Sequence, residues 1–249
     1  AAQAFINTSY GPRGLDLLDN GKSAQETLNI LTTNDDGRDV RQAGVVDSNG
    51  QSAAFTGKNC PGWAGSITRP GYSIQGNTLT GESVLHEMEM AFLRSDGALE
   101  NRLFSAILAG DKAGGDRRGR QSAAILVVKN NGGYGGYNDR MVDYRIDNDP
   151  DPIAKLDEIL NLHSLYFGKS QPDEKILIEG QTLFELQNIL QQTGYLKSTS
   201  AKNGPETIKA LSAFIGDENF EERCNPEQGW IDRPIYEYLL GKFKNDASS

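Results

Sequence analysis

The stretch AGGDRRGRQSAAILVV, residues 113–128, sets Asp116, Arg117, Arg118 and Arg120 among Gly114, Gly115 and Gly119. Guanidinium groups bind carboxylate or phosphate oxygens in pairs, and glycine lets a backbone come close to a ligand. Asp116, Arg117 and Arg120 are therefore candidate substrate-binding residues on a rim for an anionic group. The competing reading is a turn whose arginines pair with Asp111, Asp116 and nearby acids. A second candidate lies in YSIQGNTL, residues 72–79, where Gln75 and Asn77 flank Gly76. Two amides and a glycine inside a strand are costly unless something uses them. They are either amide donors to a developing oxyanion or cross-strand hydrogen-bonding groups around a bulge.

Other reactive residue types carry less. Asn7, Thr8 and Ser9 precede Tyr10-Gly11-Pro12 with no histidine nearby, which reads as a turn and helix cap. The acids Asp143, Asp147, Asp149 and Asp151 lack the glycine and terminal glutamate of a calcium loop and are interrupted by two prolines. They read better as acids leading into a helix N-terminus. Cys60 has only Lys58 as a basic neighbour, and whether it pairs with Cys224 is left open. Tyr134 and Tyr137, in a glycine-rich turn, could stack on sugar or peptide or simply decorate a hairpin tip. His86 and His163 fall in helical patterns. Neither a metal nor a cofactor is expected, and no catalytic residue can be named.

The elements that must hold these residues alternate in type. Leu15, Leu17 and Leu18 mark one helix; Ser23 and Glu26 form a capping-box spacing ahead of Leu28, Ile30 and Leu31. RQAGVVDSNGQSAAFTG reads as a hairpin around Asn49-Gly50. Residues 72–79 read as a strand, and residues 81–113 as two helices split near Asp96-Gly97. Residues 121–128 and 141–149 read as strands about the glycine-rich turn, and residues 149–168 as a helix with Pro152 in its first turn. Tight turns between strands imply antiparallel sheet, covered by helices. The Pro- and Gly-containing GKSQPDEK predicts a boundary, giving domains 1–168 and 169–249. Beyond it three helical patterns, around Leu183–Leu190, Ile208–Ile215 and WIDRPIYEYLLGKF, predict a small three-helix domain.

The 249 residues carry a net charge of −9, which argues against a broad nucleic-acid surface. No apolar run approaches the roughly 20 residues of a spanning helix, and no phosphate-loop or dinucleotide glycine fingerprint follows a strand.

QAFINTSYGPRGLDLL, GRDVRQAGVVD, CPGWAG, YSIQGNTLTG, GGDRRGRQSAAILVV and DRMVDYRIDNDPDPI, in this order, make residues 1–163 resemble domain-of-unknown-function family 1028 of the Ntn-hydrolase-like superfamily. Residues 176–243, through LFELQNILQQTGYL and PETIKALSAFIG, resemble a peptidoglycan-binding domain. The resemblance implies an α+β, four-layer αββα sandwich of antiparallel sheets and an amide-bond hydrolase acting on a small amide or a wall-derived peptide. In that family strands precede QAFIN and a Thr, Ser or Cys begins the first of them, so the nucleophile is expected upstream of Ala1. The alternative is a non-catalytic envelope binding or assembly protein on the same scaffold. Expected partners are a small-molecule or peptide substrate and peptidoglycan, with no nucleic acid and no membrane span; the resemblance also allows a homo-oligomer. It favours a periplasmic or secreted location, with the cytoplasm as the other option.

Overall fold

A computed structural model describes residues 1–168, 171–200 and 202–244, with backbone alone for Lys244. The chain is mixed α+β with eight α-helices and small antiparallel sheets among the described residues. Backbone contacts divide it into two units, Ala1–Ile159 and Leu160–Ser249. The expected boundary after residue 168 abuts residues 169 and 170, which lie outside the described residues.

The first unit begins with β1 (Ala2–Ala4), α1 (Tyr10–Asp19) and α2 (Ala24–Thr33). The S-x-x-E spacing closes a reciprocal capping box at the start of α2, Ser23 with Glu26. The strands β2 (Arg41–Val46) and β3 (Ser52–Thr56) form the hairpin that Asn49-Gly50 predicts, and β1 pairs with the other side of β2. Asp47 organises its turn, accepting from the Asn49 and Gln51 amides with Oδ1 while Oδ2 accepts from the Ala24 amide of α2. Strand alternation then assigns two faces to β2. Ala43 and Val45 join Ala53, Tyr10, Leu28 and Leu31 in an apolar core beneath α1 and α2. Gln42 and Gly44 face the other way.

A second hairpin meets that other face. It consists of β4 (Trp63–Arg69) and β5 (Tyr72–Leu79), and β5 contacts β2 while β4 contacts β3. Strand β4 was not legible in the sequence, because WAGSITR lacks a clean alternation of apolar and polar residues. Helix α3 (Ser83–Arg94) lies against β5, with Tyr72 and Phe92 edge to face at 5.4 Å and the Tyr72 hydroxyl donating to Glu89 at 2.7 Å. It runs against α4 (Leu99–Lys112), the split falling where Asp96-Gly97 predicts.

Helix α4 packs on β6 (Ala123–Val128), which pairs with β7 (Arg140–Ile146). A register shift at Val128 puts Arg140, Asp143 and Arg145 on one exposed face, rather than the Met141, Asp143, Arg145 set that simple alternation predicts. Helix α5 (Pro152–Phe167) follows, and the division between the units falls inside it.

The second unit holds the three expected helices, α6 (Gly180–Gln192), α7 (Pro205–Asp217) and α8 (Arg233–Lys244). It also holds an antiparallel sheet of β8 (Lys175–Leu177), β10 (Trp230–Asp232) and β9 (Cys224–Asn225), in the order 8-10-9. WID is thus strand, and α8 begins only at Arg233. Strands of two or three residues are too short to show a period. Leu190, Leu211, Ile231, Ile235 and Leu239 are fully buried in its core. Inside it Arg223 and Asp232 pair at 2.7 Å, and Arg223 Nη1 donates to the Ser164 and Leu165 carbonyls at 3.0 Å.

Candidate functional site

The polar residues of the first unit converge between the two facing sheets. Gln42 is completely buried there. Its Nε2 donates to Gly65 O at 3.0 Å, Gly76 O at 2.9 Å and Thr56 Oγ1 at 3.0 Å. Its Oε1 accepts from Gln3 Nε2 at 2.7 Å and Asn77 Nδ2 at 3.2 Å. One carboxamide therefore ties β1, β3, β4 and β5 together. A sheet-to-sheet interface is ordinarily filled by apolar side chains; here it is an amide seam of Gln3, Gln42, Gln75 and Asn77.

The seam is narrow because Gly44 has no side chain. A Cβ there would meet Gln75 Cδ and Ser73 Oγ at 2.8 Å. Gln75 accepts from Ser73 Oγ at 2.7 Å, and among the described residues its Nε2 makes no hydrogen bond. Asn77 uses one of its two amide hydrogens on Gln42, and its Oδ1 accepts from Thr78 Oγ1 at 3.1 Å.

The bulge expected in this stretch is present as one irregularity. The β4–β5 register shifts between Trp63 and Gly65, so Asn77 and Thr78 together oppose Ala64. Thr78 is 3% exposed and has φ +57°, a left-handed conformation that a β-branched residue rarely adopts. Strain of this kind clusters at functional sites. The bulge is clamped from two loops: the Thr78 amide donates to Pro61 O at 2.9 Å, and Thr78 O accepts from the Arg117 amide at 3.0 Å. The glycine- and arginine-rich stretch is thus bound to the strand end, with Thr80 N donating to Gly115 O at 3.0 Å and Asp116 bridging Leu79.

The four charged residues of that stretch separate into two groups. Arg118 takes Asp116, donating Nε at 3.0 Å and Nη2 at 2.6 Å, and these bonds hold the Asp116 carboxyl below the usual range. Arg120 is clamped bidentately on Asp111 at 2.7 Å and reaches Asp151 at 3.8 Å. Arg117 alone of the three arginines has no side-chain hydrogen bond or ion pair among the described residues. Its guanidinium lies over Gly62, where a Cβ would come within 3.5 Å of Cζ and Nε. The structure thus joins Gln75, Asn77, Asp116 and Arg117 through β5 and its bulge, and leaves Arg120 in an ion-pair cluster.

A second polar cluster closes the Arg41 end of β2. Asp35 accepts from Asn7 Nδ2 at 2.9 Å, Tyr10 Oη at 3.0 Å and Arg41 Nε at 3.0 Å. These donors, Arg41 foremost, hold the Asp35 carboxyl far below its ordinary value, while burial and then the bond to Asp35 push Tyr10 up to about 12. Ser9 occupies the cap position of α1, but its hydroxyl and amide go to Asn7 Oδ1 instead. Cys60 donates its thiol to Arg41 O at 3.3 Å, and burial raises its pKa, so it is not poised as a thiolate. Cys60 and Cys224 are both free.

The acids after β6 go to partners of their own: Asp143 to Arg140, Asp147 to Arg145, Asp151 to Arg120. Among the described residues no three His, Cys, Asp or Glu side chains gather as metal ligands, and no helix is long and apolar enough to cross a membrane. A cavity of about 290 Å³ lies on the opposite face of β2, lined by Gly14, Leu15, Leu18, Leu28, Leu31 and Val45 among others. It is mainly apolar and holds none of the candidate substrate-binding residues.

Gln42 and Gln3 were missed from the sequence. RQAGVV carries a signal like that of YSIQGNTL, a glutamine within two residues of a glycine in a largely apolar strand.

A mixed α+β unit with an amide seam between facing antiparallel sheets, followed by a small helical module, is the class of protein these features define. Residues 1–156 match the model of a family of unknown function (DUF1028), and the chain belongs to that family. Residues 166–239 match the family described as "Putative peptidoglycan binding domain". Among solved structures, protein SPO2555 from Silicibacter pomeroyi, of the same family, is similar with a TM-score of 0.59 and 33% identity, over 66% of this chain and 71% of that one. No curated protein matches the chain.

Proposed function

We propose that the protein is an amide-bond hydrolase of the N-terminal-nucleophile type, acting on a small amide or a cell-wall-derived peptide at the cell envelope. In this reading residues 1–168 form a catalytic domain, a four-layer αββα sandwich, and residues 169–249 a wall-binding domain. The observation that carries it is the amide seam between the β1–β3 and β4–β5 sheets, which ends in the strained Asn77–Thr78 bulge. Hydrolysis of an amide develops negative charge on the carbonyl oxygen, and each aimed N–H donor is worth roughly 3 kcal/mol there. Gln75 Nε2 and the second hydrogen of Asn77 Nδ2 are the donors available for it. Arg117, whose side chain makes no hydrogen bond or ion pair among the described residues, anchors an anionic end of the substrate, and Asp116 with Arg118 stiffens the loop that carries it. Gln42 holds Asn77 in place and does not itself touch substrate.

In the second unit, a cavity of about 280 Å³ lined by Gly180, Leu183, Phe184, Thr199 and Ser200 supports the wall-binding reading. Phe184 is 52% exposed beside it and offers a face for sugar stacking.

The test is direct. The protein purified from its source is sequenced from its N-terminus and incubated with N-acyl peptides and a muropeptide digest, amine release being followed by mass spectrometry. A Thr, Ser or Cys first residue, with turnover that falls at least tenfold in Arg117→Ala, is expected. Any other first residue, or turnover indifferent to Arg117, sinks the proposal. Failure of the full chain to sediment with insoluble peptidoglycan removes the wall-binding half alone.

A further inference from the structure

The three-stranded sheet of the second unit has one face in the core and one turned away from it. Ile231 and Cys224 are buried on the inner side, so alternation puts Trp230 and Asp232 on the outer one. Arg223 closes the Asp232 end of that outer face. At its other end the register lines up Leu177, Trp230 and Asn225 across the three strands. Leu177 is 62% exposed, and the Lys175 ammonium lies 3.8 Å from the centre of the Trp230 ring.

The amides beside the indole are oriented by groups that can only donate. Trp230 Nε1 donates to Gln228 Oε1 at 3.1 Å, and the Gln228 backbone amide donates to Asn225 Oδ1 at 2.9 Å. Both carboxamide oxygens are thus engaged. The NH2 groups of Asn225 and Gln228 make no hydrogen bond among the described residues, and Lys175 makes no ion pair there.

A ligand that fits offers an apolar face to the indole and uncharged acceptors to two amides. A pyranose bearing an N-acetyl group does both: its C–H face and acetyl methyl stack on the ring, while its acetyl carbonyl and hydroxyls accept. An extended peptide fits less well, because these side chains offer donors alone and its N–H groups would go unmatched. A folded protein partner needs roughly 800 Å² on each side, far more than one tryptophan, one leucine and two amides supply. We infer that Trp230, with Leu177, Asn225 and Gln228, is a binding site for an N-acetylated amino-sugar unit of a glycan chain. Lys175, with no ion pair of its own among the described residues, gives way to the sugar. The inference rests on the wall-binding half of the proposed function, and adds that the second unit holds the sugar strand there rather than the peptide.

In a proton–nitrogen NMR spectrum of the full chain the two indole N–H signals are those of Trp63 and Trp230, told apart by Trp230→Phe. Titration with the N-acetylglucosamine tetramer is expected to move the Trp230 signal and leave that of Trp63 in place. The glucose tetramer of the same linkage, which lacks the acetamide, and an alanine-ended wall peptide are expected to move neither. Trp230→Ala should weaken binding of the N-acetylglucosamine tetramer roughly tenfold or more. Gln228→Ala, at an exposed turn residue, should weaken it severalfold with an unchanged melting curve. A Trp230 signal indifferent to that tetramer, or answering equally to the glucose tetramer or the peptide, overturns the inference. Binding that survives both substitutions overturns it as well. Sedimentation with insoluble peptidoglycan keeps the two readings apart. If wild type and Trp230→Ala pellet alike, wall binding stands and this site falls; if the chain stays in solution yet binds the tetramer, the site stands and wall binding falls.

Discussion

Gly44 of β2 and Gln75 of β5 stand opposite each other across the two sheets, and the missing side chain of one is the space taken by the other. Any β-carbon at position 44 would meet Gln75 Cδ and Ser73 Oγ at 2.8 Å. Gly44→Ala is therefore expected to destabilise by about 1–3 kcal/mol through overpacking. The obstacle is a side chain, so Gln75→Ala should restore much of the loss. A double-mutant cycle by urea denaturation reads the coupling; additive effects would mean the sheets separate more easily than this geometry implies.

Gln42 occupies the same seam with every polar atom engaged. Gln42→Met keeps the volume but leaves Gly65 O, Gly76 O and the Asn77 amide short of a partner in a buried place. A loss of roughly 3 kcal/mol follows, measured as a drop in the urea midpoint at constant m-value. Gln42→Glu, nearly isosteric, cannot donate when ionised; it should be more damaging at neutral pH than near pH 4, where its carboxyl takes up a proton.

Stability at the pH extremes should answer to Asp35 and Tyr10. The folded state depresses the Asp35 pKa, so the unfolded chain binds the proton more readily. The contribution is complete above the unfolded value, about 3.9, and is lost as pH falls below it. Asp35→Asn should lower the melting temperature at pH 7, with the gap to wild type closing in acid. Tyr10 works in the opposite sense. Raised to about 12 by burial and its bond to Asp35, it contributes fully below about 10 and loses that contribution as pH climbs through 12. Tyr10→Phe should flatten the alkaline limb. Differential scanning calorimetry from pH 2 to 12 checks both signs.

The three arginines of the 117–120 stretch should behave differently. Arg117→Ala is expected to leave the unfolding midpoint unchanged while abolishing salt-sensitive binding of small carboxylates, read by NMR shifts at the Thr78 amide. Arg120→Ala removes the bidentate bond to Asp111 and should lower the midpoint slightly without altering those shifts. The reverse pattern would transfer the anion-binding role from Arg117 to Arg120.

Much of this architecture could be read from residue order. The Ser23–Glu26 capping box, the Asn49-Gly50 turn and the Asp96-Gly97 break each encode their element locally, through a side chain or a backbone conformation that few residues supply. What escaped was carried by contact rather than pattern. Trp63–Arg69 pairs with β5 without alternating, and the strands at 175–177, 224–225 and 230–232 are too short to have a period. The site was half legible for the same reason. Gln75 and Asn77 stand out as polar residues in a strand, but Gln42, the partner of Asn77, lies 35 positions away, and only the stacking of two sheets brings it there. Nor does the sequence tell which arginine is left uncommitted, since that depends on Asp111 and Asp116 choosing Arg120 and Arg118.

The buried Arg223 has a practical bearing on dissecting the chain. Its guanidinium bonds Asp232 on one side and the last carbonyls of α5, at Ser164 and Leu165, on the other. A fragment starting at residue 169 would strip those two acceptors from an arginine that is 4% exposed. Starting the fragment at 160 keeps the plug in its socket, and this is the cut from which the C-terminal module should express folded.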